Sequence, residues 1–155
     1  MADVLRIQDS CYVDIEPEAR ESLQAKILAS PSTCLVAEIA GDVVGYLIAA
    51  PILYPDLPEL NAPTFQLAAN ADTLYLHDLA IANAARGTRA GRALVRAAME
   101  VAKEGDLTGA CLVAIQGSVR YWEQLGFEIV EAPPDGVAAK LASYGAAARL
   151  MRAAL

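Results

Sequence analysis

Hydrophobic positions along the chain fall into two periods. Between 34 and 52, CLVAEIAGDVVGYLIAAPI places two aliphatic, β-branched runs on either side of AGD, the signature of a β-hairpin. Ahead of it, EPEARESLQAKILAS (16–30) carries Leu23, Ile27 and Leu28 at helical spacing and stops at Pro31. The chain is thus expected to open strand, helix, strand, strand. Residues 54–72 hold three of the eight prolines with little periodicity, which predicts a long loop of the kind that often carries function. TLYLHDLAI (73–81) is an apolar strand interrupted by the only histidine and an aspartate. GRALVRAAMEVAKEG (91–105) is a helix, with Leu94, Ala98, Val101 and Ala102 on one stripe and Gly105 as its stop. ACLVAIQ (110–116) is a short buried strand, and SVRYWEQLGF (118–127) a short helix from a Ser118 cap to Gly126. FEIVEA (127–132) and ARLMRAAL (148–155) are the last strand candidates, the alanine-rich end being equally compatible with helix. Strands alternating with helices, without repeat or linker, predict one α/β domain over 1–155.

Composition narrows the function classes. A chain of 155 residues that is 55% hydrophobic and 20% charged forms a single buried core and excludes disorder. The net charge of −7 argues against a nucleic-acid binder, because phosphate neutralisation needs a broad basic surface. Cys11, Cys34 and Cys111 show no CxxC pair or regular spacing, so free thiols are expected, with no metal and no disulfide framework. Neither a signal-peptide pattern nor an unbroken membrane-length apolar run is present, which predicts a cytoplasmic protein without a membrane partner.

Against this acidic background, AARGTRAGRALV (84–95) sets two glycines and three arginines between a strand and a helix. Such a turn presents free N–H groups at the positive end of a helix dipole, an anion site whose natural guest is a phosphate. Neither Gly87 nor Gly91 fits the Walker spacing GxxxxGK, and the dinucleotide GxGxxG is absent.

LAIANAARGTRAGRAL followed by YWEQLGF instead resembles the GNAT superfamily of acyl-CoA-dependent N-acyltransferases. In that family a strand runs into a loop of pattern Q/R-x-x-G-x-G/A, whose amides hold the CoA pyrophosphate at the start of a helix, and a later helix ends in an LGF-type turn. Arg86 takes the first position and Gly91 the last, with Gly87, Thr88, Arg89, Ala90 and the following Arg92 completing the cradle. The middle glycine is Arg89, a bulky residue where a positive φ or close phosphate approach is implied, although its guanidinium could compensate by a charge-assisted contact. The resemblance covers nearly the whole chain and implies an α/β (α+β) fold: a central mixed, mostly antiparallel sheet with splayed central strands, flanked by helices. It also implies that peptide groups of Leu79, Ala80 and Ile81 hydrogen-bond the pantetheine arm, and that Gln116 stands where many members use an Asn on the CoA arm. Gln116 bonding its own turn is the equal alternative.

Acetyl transfer to an amine needs a base for the amine, a polarised carbonyl and a proton for the departing sulfur. Strand alternation puts Tyr75 and His77 on the face of Leu79, with Leu76 and Asp78 opposite. His77 stands where the family places a base, against the alternative of a satisfied core histidine, and Asp78 is the reserve; a bulge here would let the two exchange faces. The family's acid is a Tyr at the position of Trp122; Tyr121 beside it is about 100° away on a helix and is the candidate acid, with Trp122 as packing. Asp56, Glu59 and Asp72 in the long loop favour a cationic acceptor, and Tyr46 and Tyr75 could line its pocket. The expected activity is N-acetyl transfer from acetyl-CoA to a small-molecule or peptide amine by direct attack; the alternative is a CoA-binding or regulatory module that has lost the chemistry. A C-terminal strand that often completes a dimer in the family makes a homodimer a further expectation.

Overall fold

The AGD hairpin forms as expected. In a computed structural model describing residues 1–12 and 16–155, β1 (Leu35–Ile39) and β2 (Asp42–Ile52) pair antiparallel. Ala40 and Gly41 turn between them at φ 53° and 91°, the condition for a two-residue type I′ connection. β3 (Thr73–Ile81), β4 (Gly109–Ala114), β5 (Glu128–Ile129) and β6 (Arg149–Ala154) complete a sheet of order β1-β2-β3-β4-β6-β5. Only β3 and β4 are parallel, joined by a crossover through α3 (Ala90–Glu104). This is the mixed, mostly antiparallel sheet that the resemblance implies.

The helices sort onto two faces. α3 lays Leu94, Val95, Ala98 and Ala102 on Leu47, Ala49, Leu74, Leu76 and Leu112, and the alanines let helix and sheet approach closely. α4 (Val119–Glu123) closes the end of this core through Trp122, which packs edge-on against Phe127 at 5.6 Å between centroids. The opposite face takes α1 (Ala2–Cys11), α2 (Arg20–Ala29) and α5 (Asp135–Ser143). The long loop 54–72 crosses that face without a helix or strand and is tied at its base by the Tyr54 N–H donating to Asp72 at 3.0 Å.

Two expectations change, and one element is added. The opening segment is helix, not strand, because Val4, Ile7 and Gln8 share one buried stripe at spacings of three and four. In α2, Leu23 is fully buried and Ile27 packs beside it as the spacing implies, but Leu28 is 74% exposed, and Ser22 and Lys26 join the buried side, with a partner described below. α5 is an added element, in a stretch between the last two strand candidates to which the sequence pattern assigns no element, and it buries mainly Val137. The C-terminal segment is strand, and β6 is paired on both flanks by β4 and β5 of the same chain.

The feature that positions the site lies in β3. Its pairing with β2 passes from Ile48↔Asp78 to Ala49↔Leu76, so His77 is one extra residue, a β-bulge. Leu74 and Leu76 face α3, and so do Leu79 and Ile81, whereas Tyr75, Asp78 and Ala80 face the α1 and α2 side. Leu79 therefore does not share the face of Tyr75 and His77, which corrects strict alternation. The ladder to β4 also stops at the bulge: it spans Thr73↔Gly109 to Leu76↔Leu112, while β3 runs on to Ile81 held by β2 alone.

Phe127 is 1% exposed and braces Trp122 at the open end of the core. Phe127→Ala is expected to lower the unfolding free energy by about 3–5 kcal/mol, read from urea melts followed by Trp122 fluorescence.

Candidate active site

Beyond the bulge, the β4-facing edge of residues 77–81 has no ladder partner, so its peptide groups border an open cleft. One is already engaged: the Ile81 carbonyl accepts from the Cys11 thiol at 3.3 Å. After Ile81 the chain turns through Asn83–Ala85 and Arg86–Arg89 into α3. The Thr88 hydroxyl braces this turn by donating to the Ala85 carbonyl at 2.7 Å. Arg89, the last residue before α3, sits at φ 67° and ψ 10°, the left-handed region that the motif's glycine would occupy at lower cost.

α3 begins without a capping side chain or an acidic residue in its first turn. The Ala93 N–H donates to the Arg89 carbonyl at 3.0 Å, which leaves the N–H groups of Ala90, Gly91 and Arg92 ahead of it without helical partners. Arg86, Arg89 and Arg92 are exposed, and none joins an ion pair among the described residues. Open amides, the positive end of a 15-residue helix and three uncommitted guanidiniums suit a pyrophosphate.

The cleft has a volume of about 700 Å³ and runs from His77 and Asp78 along Leu79, Ala80 and Ile81 to the Arg86–Arg92 turn, with Gln116 and Tyr121 on its far wall. Gln116 is exposed at φ 51° just beyond β4. Gly91 has a steric reason: a Cβ there would lie 2.6 Å from the Tyr121 hydroxyl oxygen and 3.4 Å from Ile81 Cγ1. The glycine thus lets the Tyr121 hydroxyl rest on the first turn of α3. Trp122 is 8% exposed and buried in the core, whereas Tyr121 is 38% exposed and faces the cleft. Burial pushes the Tyr121 hydroxyl above its ordinary pKa, partly opposed by Arg92.

The other end of the cleft holds the ionisable groups. Asp78 accepts from the hydroxyls of Tyr12, at the end of α1, and of Tyr46, the latter at 2.6 Å. Burial raises the pKa of Asp78 against the pull of these two hydrogen bonds, and burial likewise raises Tyr46. His77 turns the same way, and its Nε2 lies 2.5 Å from Oε2 of Glu18. Sequence reasoning missed Glu18, which sits two residues ahead of α2 and 59 residues from His77. The only trace was the polar stripe of α2: Ser22 Oγ donates to Glu18 at 3.1 Å, and Lys26 Nζ stands 3.4 Å from the same carboxylate. The N–H of Asn61 in the long loop is a further donor. Burial alone would raise Glu18, but the hydrogen bond and charge of His77, with Lys26 and the Asn61 N–H, outweigh it and hold the carboxyl at about 2.

Of the long loop's carboxylates Asp72 is held by the fold, while Asp56 and Glu59 are exposed. Asp72 is engaged by Tyr54 and Thr73, and Asp56 is 3.7 Å from Lys140 of α5. Tyr46 and Tyr75 are each 1% exposed, so they wall the polar cluster from within the core. Among the described residues no three His, Cys, Asp or Glu side chains gather as a metal site, and no helix is long and apolar enough to cross a membrane.

The profile of the acetyltransferase (GNAT) family matches residues 1–127. No curated protein matches the chain in sequence. Among solved structures, Ard1 from Thermoplasma volcanium is similar with a TM-score of 0.73 and 18% identity, over 99% of this chain and 90% of that one. The GphF GNAT-like decarboxylase in complex with isobutyryl-CoA gives 0.74 and 15%, over 96% and 91%. The NatC complex bound to Gag peptide and CoA gives 0.68 and 14%, over 97% and 89%. At these identities the likeness is one of fold.

Two stability measurements follow. A Glu18 carboxyl held from 4.5 down to about 2 stabilises the fold fully above pH 4.5 and loses that contribution as pH falls through 2. The contribution is on the order of 3 kcal/mol, so acid unfolding of the wild type is expected to be steep in this window and flatter in Glu18→Gln, measured by circular dichroism. Arg89→Gly is expected to raise the unfolding free energy by about 0.5–1 kcal/mol in urea by relieving the left-handed strain.

Proposed function

The chain belongs to the acetyltransferase (GNAT) family, and from that membership we propose that it is an N-acetyltransferase moving the acetyl group of acetyl-CoA to an amine by direct attack. The observation that carries this reading is the bulge at His77, from which β3 and β4 part and open a cleft onto an uncapped helix start flanked by three arginines.

When bound, acetyl-CoA supplies an activated acyl group; the residues of this chain do the rest. The N–H groups of Ala90, Gly91 and Arg92, with Gly87, Thr88, Arg86 and Arg89 around them, hold the pyrophosphate. Open peptide groups within Leu79, Ala80 and Ile81, and the Gln116 amide across the cleft, orient the pantetheine arm. His77, at the point where the strands part, takes the proton that the amine sheds. Asp78, capped by two tyrosine hydroxyls, keeps a carboxylate near the incoming amine and favours a cationic acceptor. The Tyr121 hydroxyl, against the first turn of α3, gives a proton to the departing sulfur. An acyl-enzyme route has little support, since Cys111 lies outside the cleft with its thiol pushed up to about 12 by burial, and Cys11, which lines the cleft, gives its thiol hydrogen to the Ile81 carbonyl and not to a base.

The NatC complex binds a peptide together with CoA, which makes a peptide N-terminus the first acceptor to screen beside small amines. A second reading, a CoA-binding module without chemistry, is favoured by one observation: the His77 side chain is only 2% exposed.

Titration calorimetry with acetyl-CoA, and with dephosphorylated pantetheine as control, tests the cleft: micromolar binding that needs the pyrophosphate is expected. His77→Gln, which keeps a donor for Glu18, is expected to bind acetyl-CoA within about twofold of wild type and to lose roughly 10²-fold or more in kcat. Binding with no rate to lose would establish the second reading.

A further inference from the structure

His77 is anchored from outside its own strand. The Glu18 carboxylate, itself 7% exposed, divides its two oxygens between duties. Oε1 accepts from Ser22 Oγ, Lys26 Nζ and the Asn61 N–H, so it belongs to α2 and the long loop. Oε2 faces Nε2 of His77 at 2.5 Å, with Lys26 Nζ at 3.5 Å as its other neighbour.

An ionised carboxylate can only accept, so a hydrogen bond at this contact puts the hydrogen on Nε2. A neutral imidazole then has a bare Nδ1, and this atom is buried without a hydrogen-bond partner among the described residues. A histidine serving only as a structural clamp would be expected to engage both nitrogens, since an unpaired buried polar atom is costly. Here one is held and the other is left vacant.

The charges around the ring fit a proton arriving at Nδ1. Glu18 and Lys26 compensate each other when the imidazole is neutral. Asp78 on the same strand is the second carboxyl near the ring and interacts with it favourably. The hydroxyls facing the cluster, from Tyr12 of α1, Tyr46 of β2, Tyr75 of β3 and Tyr144 after α5, are all raised by burial and stay protonated, so they add no competing charge. Among the described residues the buried Lys26 ammonium is the one cation in the cluster, and it is turned onto Ser22 and Glu18.

We propose that Glu18 is the positioning residue of this site: its carboxylate fixes His77 as the Nε2–H tautomer, so that Nδ1 is the nitrogen that receives the acceptor's proton. This rests on the reading of His77 as the base, and it adds what makes that base directional. The proton leaves the ammonium nitrogen of the acceptor, binds the Nδ1 lone pair, and is shed to solvent after turnover, so no further reactant is required. The logic is that of a buried carboxylate holding an imidazole in one tautomer while the opposite nitrogen does the chemistry.

The chain contains one histidine, so a two-bond ¹H–¹⁵N correlation spectrum of the full-length labelled protein reads this ring without assignment. At about pH 8 the expected pattern is a protonated Nε2 and a bare Nδ1. A hydrogen on Nδ1 with Nε2 bare, or both nitrogens protonated, overturns the proposal. In Glu18→Gln the amide can donate or accept, so a mixture of both tautomers is expected, with kcat reduced about 10-fold or more and KM for acetyl-CoA changed by less than about twofold. A single unchanged tautomer with wild-type kcat also overturns it. The wild-type spectrum needs neither an acceptor nor a folded variant. If the protein acetylates no amine, the functional reading fails, while the spectrum still decides what Glu18 does to the ring.

Discussion

One extra residue in one strand organises this molecule. At His77 the β2–β3 ladder gains a residue, and the β3–β4 ladder ends one residue earlier, at Leu76. A bulge increases local twist and bends the strand that carries it, so it aims the end of β3 away from β4. Two consequences follow from the same displacement. Leu79 and Ile81 are returned to the α3 core, which keeps the strand end apolar and held. His77 and Asp78, neighbours that alternation would separate, come to the α1 and α2 side together, where Glu18 and the hydroxyls of Tyr12 and Tyr46 meet them. The cleft and its ionisable end therefore have one origin.

Such a polar cluster has to be held against its own desolvation cost. Ionised side chains out of water are tolerated only when paired and fully hydrogen-bonded. Glu18 meets that condition with donors from α2, the long loop and β3, and so it adds a polar link between parts of the chain that also share apolar clusters. The linkage explains why α2 turns Ser22 and Lys26 inward while Leu28 faces solvent. Leu23, fully buried, and Ile27 already turn this side of α2 to the core, and the ion cluster seats Ser22 and Lys26 beside them. The ion cluster thus reinforces the rotation that Leu23 sets, and it ties α2 to the long loop through Asn61.

These forces also mark where sequence reasoning stopped. The AGD hairpin, the amphipathic α3, the apolar strands that flank it and the Arg86–Gly91 turn are local patterns, each carried by residues within a few positions of one another, and all were legible. The resemblance carried by LAIANAARGTRAGRAL and YWEQLGF extended them to the whole sheet. Long-range pairing was not legible. Nothing around Glu18 signals a partner 59 residues away, and a bulge has no composition of its own, so TLYLHDLAI reads as an unbroken strand. The opening segment was misassigned because Val4 and Ile7 alone give too short a period to separate helix from strand. Tyr121 was placed by geometry: its hydroxyl reaches the start of α3 only because Gly91 presents no side chain there.

Arg89 sets backbone preference against the electrostatics of the proposed anion site. A glycine at φ 67° would be relaxed, and an arginine there carries a cost of about 1 kcal/mol. The chain as a whole bears a net charge of −7, so its distant field opposes any polyanionic ligand. That field is screened beyond about 8 Å at physiological salt, and within that range the arginines at 86, 89 and 92 dominate the mouth of the cleft. A charge-assisted contact contributes about 1.5–3 kcal/mol, more than the strain removes. The glycine's backbone amide is retained and a guanidinium is added beside it. On the proposed reading of this turn as the pyrophosphate site, the strained arginine adds a charge that the relaxed residue would lack.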